Sequence, residues 1–522
     1  MQLDKVSLAE TRAFSNFFLD YLHQKDTLKP FYNRFPQLDQ FQAQIEEKKS
    51  SFPSPHREVL VNALRIQYGK LAVSPEVDAN IERLKNANTF SVTTGHQLNI
   101  FTGPLYFIFK IVTVINTCRQ LKARYPDYDF VPVYWMASED HDYEEIKYFK
   151  LYGKKIVWET EQSGAVGRFN TKGLEAIANE ISGETKVFRE AYSKNKTLSA
   201  AVRHYVNALF ANEGLVVIDG DDRSLKSLFK NVIREDVLQH APKKLVDVTN
   251  AAIEALGYKT QIFCRDINFF YLADGIRSRI EKQGDRFVVV DSTLSFSQTE
   301  IEKMIDEEPE KFSPNVILRP LYQEMILPNV SYVGGPAEVI YWLQLKAVFD
   351  HFKTPFPMVM PRNFGMVMDH ETARKFSKTS LQLKDLFEEK NYIFNHWVLS
   401  NSERNLTVGQ ERTAVNELFA ALKARAESID KTLEPFVAAE GKRALNSLEK
   451  IERKLLRAEK RQHSDKLRQI EAVKDALFPN GSLQERTDNF LNFHQRDPQF
   501  ISHLLKTFDP LDYRFNILSY TD

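Results

Sequence analysis

Three neighbouring stretches decide the fold of this chain: FSVTTGHQ at residues 90–97, FTGPLY at residues 101–106 and VPVYWMASEDHD at residues 131–142. The first contains a short β-forming run, and the third begins with an almost continuous apolar run, as in a strand buried on both faces. An apolar helical sequence at 105–121 lies between them, preceded by a proline of the kind that a first helical turn tolerates. A strand, a helix and a second strand predict a right-handed βαβ unit.

Polar residues follow both predicted strands. In open α/β sheets, ligands bind beyond the carboxyl ends of the strands, so we predict that this edge carries the functional site. The candidates for ligand binding are Gly95, His96 and Gln97, and the candidates for catalysis are Glu139, Asp140, His141 and Asp142.

The four consecutive ionisable residues at 139–142 allow several chemistries. They could bind an amino group, recruit Mg²⁺ or deprotonate an incoming amine, and His141 suits the role of base near neutral pH. We also expect one or more of them to cap the following segment, because consecutive residues cannot all point into one pocket. A metallohydrolase site would need a second histidine at helical spacing, which the sequence lacks, and we predict no metal site.

The same core continues after two predicted insertions, at about 147–212 and 258–312. A third apolar strand begins near Gly214, and SYVGGPAE at residues 331–338 precedes another helix. The β-like runs of the second insertion are Gln261–Cys264, Phe269–Leu272 and Arg286–Val290. In the stretch at 331–338, Gly334 and Gly335 would let the backbone approach a ligand closely. Glu338 could bind a ribose or an amine, or it could simply stabilise the first turn of the helix.

Length, charge and cysteine content exclude several classes of protein. The 522 residues indicate two or more structural units. The 70 basic residues balance the 70 acidic ones, so we expect neither a nucleic acid nor a membrane as partner. The two cysteines are too few for a disulfide framework, and the N-terminus does not resemble a secretory signal. We therefore expect a soluble, cytoplasmic protein.

Charged helical sequence dominates from Thr407 onwards. Apolar residues recur there at helical spacing, and Pro435 suits the first turn of a helix but not its interior. We therefore predict an antiparallel helical hairpin with its connection near 429–433. Its apolar seam could belong to a solvated arm or to a dimerisation surface.

In addition to the quoted stretches, the motifs NVILRP at 315–320, YVGGPAEVIYW at 332–342 and LFPNGSLQER at 477–486 occur in order. With these motifs the chain resembles the bacillithiol biosynthesis cysteine ligase family BshC. The family pattern has Gln at the position of His96 and commonly Gly at the position of Ala337, which leaves the role of the imidazole open.

The resemblance implies a Rossmann-like parallel-sheet core similar to that of class I aminoacyl-tRNA synthetases, with two insertions and a coiled-coil arm that mediates dimerisation. It implies a ligase that joins cysteine to glucosaminyl malate, with ATP activating the carboxylate and a requirement for Mg²⁺ left open. The alternatives are another adenylate-forming ligase or nucleotidyltransferase on the same core, and a non-catalytic scaffold of the thiol pathway.

Further site residues follow from the resemblance. Substrate or nucleotide binding is predicted for Thr102, Gly103, Pro104, Tyr106 and Arg319, and a second nucleotide surface for Asn480, Gly481, Gln484 and Glu485. The turn at Gly103-Pro104 could hold a phosphate at the helix start or be an ordinary tight turn, and Arg319 could bind malate or phosphate or pair with a surface acid. We expect Lys110, in the apolar helix, to extend to the surface.

The predicted organisation of the chain comprises four segments. They are an N-terminal helical part of the core at 1–88, the Rossmann-like core with its insertions at 89–370, the helical arm at 371–478, and a C-terminal segment at 479–522 that returns to the core.

Overall fold

The fold is taken from a computed structural model that describes residues 1–520, so the last two residues of the predicted C-terminal segment lie outside the described chain. Five parallel strands form its central sheet. They are β1 (Thr89–His96), β2 (Asp129–Met136), β3 (Val216–Asp219), β4 (Asn329–Gly334) and β5 (Met358–Pro361). The spatial order is β5-β4-β1-β2-β3, which is the Rossmann order, and it confirms the predicted fold class.

Helix α1 (Tyr106–Arg124) joins β1 to β2, and helix α2 (Pro336–Leu343) follows β4. Helix α1 is apolar around most of its circumference because it is covered on two sides. One side packs on the sheet, and the other contacts the C-terminal helix Phe500–Thr507, where Asn116 Nδ2 donates to the carbonyl oxygens of Leu505 and Phe508 at 3.0 and 2.7 Å. The predicted βαβ unit is thus the centre of the molecule.

The N-terminal 88 residues are mostly helical but begin with a strand. Gln2–Val6 pairs antiparallel with Phe515–Ser519, which lies parallel to Phe364–Met368 in a small three-stranded sheet. The prediction of helix was wrong for Gln2–Val6, because its partner strand comes from the opposite end of the chain. The helices of this part are Asn16–Leu22, Phe41–Ser51, Ser54–Tyr68 and Pro75–Arg83.

Both insertions carry strands of their own. The first holds the hairpin Tyr148–Leu151 and Lys154–Val157, followed by the helices Leu174–Glu180, Lys186–Lys194 and Leu198–Phe210. The second forms an antiparallel sheet from Phe269–Ala273, Ile276–Gln283, Arg286–Val289, Ser295–Ser297 and Phe312–Pro314.

The β-like run Gln261–Cys264 is not a strand, contrary to prediction. The side-chain oxygen of Gln344 accepts hydrogen bonds from the backbone N–H groups of Gln261 and Ile262 at 2.8 and 3.3 Å. A side chain from another part of the core thus takes up donors that a neighbouring strand would otherwise have engaged.

The arm is the predicted antiparallel hairpin. Helix Gly409–Ile429 and helix Glu434–Gln462 are joined by the short turn Lys431–Leu433, and Pro435 lies in the first turn of the second helix. The ion pairs Arg412–Glu449 and Lys423–Glu434 cross between the helices at positions that only an antiparallel pair brings together. Helix Ser464–Leu477 then returns the chain to the core.

The remaining α-helices connect these units. They are Tyr143–Ile146, Arg223–Ser227, Lys230–Gln239, Ala241–Ala255, Gln298–Glu307, Arg319–Ile326, Lys346–His351, His370–Ser377, Lys390–Asn401, Gln484–Thr487 and Leu491–His494.

Candidate active site

A cavity of about 650 Å³ opens at the carboxyl ends of the central strands. It lies where the strand order reverses between β1 and β4, which is the position at which doubly wound sheets bind their ligands. Its wall includes Gly95 and His96 from the end of β1, Ser138–His141 after β2, and Gly335–Glu338 after β4. The fold therefore brings together polar clusters that are about 240 residues apart in the sequence.

The floor of the cavity carries an ion pair between the buried Lys110 of α1 and the partly buried Glu338 of α2, with 2.5 Å between Nζ and Oε2. Lys110 also donates to the carbonyl oxygen of Gly95 at 2.8 Å, and its side chain is only 3% exposed. The expectation that Lys110 reaches the surface was wrong, because the strand end and the carboxylate provide it with buried partners. Burial lowers the pKa of Lys110.

Glu338 is held by three donors. Its oxygens accept hydrogen bonds from the hydroxyl of Tyr332 and from the backbone N–H of Gly335, both at 2.7 Å, in addition to the contact with Lys110. Burial alone would raise the pKa of Glu338, but Lys110 and the hydrogen bonds from Gly335 and Tyr332 together outweigh it, and the pKa is lowered. Glu338 is therefore an ionised carboxylate that is fixed in place at the switch point.

Arg319 is a partly buried cation that forms no ion pair within the described chain. Its guanidinium donates to Gln323 Oε1 at 3.2 Å and to the Tyr341 hydroxyl at 3.3 Å, and it lies over the ring of Tyr332. Burial lowers its pKa, but Tyr341, Tyr332 and Glu338 together outweigh that effect and the pKa is raised. Arg319 forms no ion pair with any residue of the described chain 1–520, so a bound anion could supply the missing charge.

Cations outnumber carboxylates on the wall of the cavity. The carboxylates are Glu139, Asp140 and Glu338, and the cations are Lys110, Arg265, Arg277, Arg319, Arg362 and Arg486. A cavity lined by an excess of cations raises the local concentration of anionic ligands. The arrangement suits phosphate and carboxylate groups.

Asp140 forms hydrogen bonds that hold the acidic segment, the four ionisable residues at 139–142. Its Oδ1 accepts the backbone N–H of His141 at 2.7 Å, and its Oδ2 accepts from Gln97 Nε2 at 3.1 Å. One of the four acidic-segment residues thus caps the backbone that follows it, as expected. Glu139 forms a buried ion pair with Lys226, whereas the exposed Asp142 lies outside the cavity wall.

His141 is contacted by an arginine from the second insertion. Arg277 NH1 lies 2.5 Å from His141 Nδ1, and the Arg277 guanidinium stacks over Phe270 with 4.0 Å to the ring centre. Burial and the charge of Arg277 lower the pKa of His141. The insertion therefore forms one wall of the cavity at the edge of the acidic segment.

His96 is enclosed between aromatic rings. It stacks on Phe107 with 5.1 Å between ring centres and meets Tyr106 edge-on at 5.4 Å. Burial lowers its pKa to about 3, so the imidazole is neutral at physiological pH. Tyr106 lies on the same wall and also contacts Arg362.

Several predicted binding residues lie outside the cavity wall: Thr102, Gly103, Pro104 and Gly334. The start of α1 is occupied by the chain itself, since the N–H of Leu105 donates to the carbonyl of Asp488 at 2.7 Å. The predicted phosphate position at this helix start thus finds no support in the geometry.

The C-terminal segment holds the core together beside the cavity. Glu485 binds Arg362 with both oxygens, at 2.6 and 3.0 Å, and Gln484 exchanges hydrogen bonds with the backbone of Val367. Gln484 also lines a second cavity of about 550 Å³, whereas Asn480 and Gly481 lie in an exposed turn. A second nucleotide surface in this region stays a prediction.

Comparison with known proteins identifies the family. The model for the bacillithiol biosynthesis BshC N-terminal Rossmann-like domain matches residues 1–363, and the model for the BshC C-terminal coiled-coil domain matches residues 365–520. The chain belongs to the BshC family.

Relatives in the BshC family match over the full length. One from Cytophaga hutchinsonii is 41% identical over 518 residues, covering 99% of each chain, and one from Flavobacterium johnsoniae is 41% identical over 530 residues, covering 99% of this chain and all of the relative. Both bear the name "Putative cysteine ligase BshC". A solved arginyl-tRNA synthetase-like structure from Campylobacter jejuni covers 80% of this chain and 99% of its own at 10% identity, with a TM-score of 0.21, and carries no argument.

Several side chains of this BshC cavity were not predicted from the sequence motifs. Arg277 lies in a strand of the second insertion, and Arg486 directly follows the predicted second surface. Arg362 had a readable signal, because it is a cation immediately after the apolar strand β5. Arg277 had none, since a strand with alternating charged residues is typical of any exposed sheet.

Among residues 1–520 of this BshC chain, no helix combines the length and the apolar character that crossing a bilayer requires. Within the same residues, His, Cys, Asp and Glu side chains form no group of three that could hold a metal ion.

Proposed function

We propose that this chain is a ligase of bacillithiol biosynthesis that joins cysteine to glucosaminyl malate through an amide bond. The family and the names of its relatives support a cysteine ligase. The observation that carries the proposal is the cationic cavity at the switch point, with Arg319 on its wall and without an ion pair within the described chain. Both the malate group and a nucleotide are anions that such a cavity attracts.

Arg319 is the residue best suited to bind a carboxylate or phosphate. Its planar fork presents several N–H groups, and only neutral oxygens accept from it in the structure. Arg362 is less available, because Glu485 binds its guanidinium with both oxygens. We assign the substrate anion to Arg319, and a supporting electrostatic role to Arg486 at the exposed side of the cavity.

The carboxyl group of cysteine needs activation before an amine can attack it. ATP, when bound, would supply this activation by converting the carboxylate into a mixed anhydride, and the cationic wall fits its phosphates. The residues after β2 face the reacting groups, where Glu139 and Asp140 can attract the amino groups of the substrates. A requirement for Mg²⁺ is part of the proposal left open to measurement.

The proposal includes the assembly and the location of the protein. We propose a homodimer formed through the helical arm, acting in the cytoplasm without nucleic acid or membrane partners. Large apolar side chains are exposed along the hairpin, and they support such a contact: Leu418, Ile429, Leu433, Phe436, Ile451 and Leu455.

The test is formation of the amide product from cysteine, glucosaminyl malate and ATP by the purified protein, followed by mass spectrometry. Arg319→Gln should lower kcat/KM by about tenfold to a hundredfold, because a hydrogen bond from a charged group to the substrate anion is lost. Arg279→Gln is the control, since Arg279 is a partly exposed residue of the second insertion that lies outside the cavity wall and pairs with Glu281. It should leave the rate unchanged.

Two results would contradict the proposal. The first is the absence of product from wild type, together with exchange of pyrophosphate into ATP that a different acid drives, which would favour another adenylate-forming enzyme. The second is an equal effect of Arg319→Gln and Arg279→Gln, which would remove the substrate anion from Arg319.

A further inference from the structure

The contact between Arg277 and His141 fixes which nitrogen of the imidazole carries the proton. Arg277 NH1 lies 2.5 Å from His141 Nδ1. A guanidinium has only N–H donors and no acceptor, so Nδ1 must offer its lone pair. A neutral imidazole with a lone pair on Nδ1 carries its hydrogen on Nε2.

The competing partner of Nδ1 is too far away to change this assignment. Asp140 Oδ1 lies 3.7 Å from His141 Nδ1, beyond the range of a hydrogen bond. Asp140 instead accepts the backbone N–H of His141 at 2.7 Å, which orients the segment rather than the ring. The charged groups around the ring are Arg277 from the insertion, and Asp140 and Asp142 from its own segment.

Arg277 is itself held rigidly. Its Nε donates to Ser313 Oγ at 3.1 Å, its guanidinium stacks on Phe270, and its side chain is only 8% exposed. Asp140 lies 3.6 Å from NH1 and balances its charge. The arginine is thus positioned by two strands of the insertion before any ligand arrives.

The Nε2 atom of His141 is left for a ligand. It has no hydrogen-bond partner among residues 1–520, and His141 lines the cavity. An N–H group on a cavity wall binds an acceptor oxygen, such as a carboxylate, carbonyl or phosphate oxygen. It cannot take a proton from an amine through the same atom.

We propose that His141 donates a hydrogen bond from Nε2–H to an oxygen of the bound substrate, with Arg277 as its positioning residue, and that it is not the general base. This inference rests on the proposed ligase function. It replaces the interpretation of His141 as the base that deprotonates the amine. Among the catalytic candidates on the wall, the carboxylates Glu139 and Asp140 are then left to accept that proton.

The tautomer can be measured directly with ¹⁵N-labelled histidine. The chain has 12 histidines, so the signal of His141 is identified by subtracting the spectrum of His141→Gln. We expect the Nε2-protonated pattern in wild type, and a shift of this signal when glucosaminyl malate is added. Arg277→Met should yield a mixture of tautomers, because nothing then fixes Nδ1 as an acceptor. A wild-type signal protonated at Nδ1 would overturn the proposal.

Measurements of enzyme activity provide a second test of the proposal. Glutamine can donate a hydrogen bond from its amide but cannot act as a base near neutral pH, so His141→Gln should keep kcat/KM within about tenfold of wild type, whereas His141→Leu should lose about tenfold to a hundredfold. The acidic limb of the pH profile should stay in place in His141→Gln. Loss of both that limb and the activity in His141→Gln would identify a base and refute the donor role.

The two proposals fail in different ways. If wild type made no amide product, the ligase function would fail, but a His141 signal that shifts on addition of glucosaminyl malate would still support the hydrogen bond. If wild type made the product but glucosaminyl malate, cysteine and ATP all left the His141 signal unmoved, the ligase function would stand and the donor role would fall.

Discussion

Single residues of the cavity take their roles from their neighbours rather than from their type. Lys110 and Arg319 are both cations in the same cavity, yet Lys110 is paired with Glu338, whereas Arg319 donates hydrogen bonds only to neutral oxygens. A paired cation is already compensated, whereas a partly buried cation without an ion pair favours binding of an anion. The first supports the structure, and the second is the better candidate for contact with the substrate.

At this scale we predict that Glu338→Gln lowers the free energy of unfolding by on the order of 2 to 3 kcal/mol. Removing Glu338 leaves the charge of the buried Lys110 uncompensated, since Lys110 has no second carboxylate within ion-pair distance in the described chain. Urea unfolding measures the difference through the transition midpoint.

The matched control is Glu371→Gln, which removes the acid of the exposed pair Lys375–Glu371. An exposed ion pair contributes about 0 to 1 kcal/mol, so this variant should unfold at nearly the wild-type urea concentration. Equal midpoints for the two variants would show that the pair at the cavity floor is as weak as a surface pair.

Among the elements, helix α1 is preceded by a turn of three consecutive residues with positive φ. Phe101, Thr102 and Gly103 have φ angles of 49°, 71° and 61°, which lie in the left-handed region. Asn489 of the C-terminal segment holds this turn by donating to the carbonyls of Phe101 and Gly103 at 2.7 and 2.6 Å. The turn sets the position of α1, and with it the positions of Tyr106 and Lys110 on the cavity wall.

We therefore predict that Gly103→Ala destabilises the protein and lowers its ligase kcat/KM. A Cβ at residue 103 would lie 2.5 Å from Asn99 Cβ, so α1 or the side chain of Asn99 must move. Gly153→Ala is the control, because Gly153 also has a positive φ, of 77°, but a Cβ there meets nothing within 4 Å.

Gly153→Ala should cost about 1 to 2 kcal/mol for the backbone conformation alone and leave the activity unchanged. Urea midpoints and kcat/KM measured on both variants separate the steric effect of the added Cβ from the effect of the backbone conformation. If both variants lost the same stability and kept full activity, the turn would not control the position of α1.

At the scale of the whole molecule, the surface of the helical arm carries several large, exposed apolar side chains. Leu418 and Phe436 are 56% and 63% exposed on the hairpin. A two-helix hairpin buries little apolar surface by itself, and a second copy of the arm could cover these side chains.

We predict that Leu418→Asp together with Phe436→Asp converts a dimer into a monomer, because both charges would be buried in the contact. Light scattering coupled to size-exclusion chromatography measures the mass. Ile66→Asp is the control, since Ile66 is 77% exposed on a core helix away from the arm and its change should leave the mass unaltered. A wild-type protein with the mass of one chain would refute dimerisation.

The sequence by itself determined the central sheet, the βαβ unit and the helical hairpin. These follow from local patterns: continuous apolar runs for buried parallel strands, helical periodicity for the arm, and Pro435 at the start of a helix. It also placed the polar clusters at 95–97 and 139–142 at one sheet edge, because parallel strands end on the same side. The segment boundaries stay predictions.

Only the tertiary structure decided which side chains meet. It directed Lys110 inwards to Glu338, brought Arg277 from an insertion to His141, and closed the start of α1 with Asp488 instead of leaving it for a phosphate. These contacts join residues that are 136 to 383 positions apart. Local periodicity carries no information about such partners, since burial and pairing depend on how distant elements pack against one another.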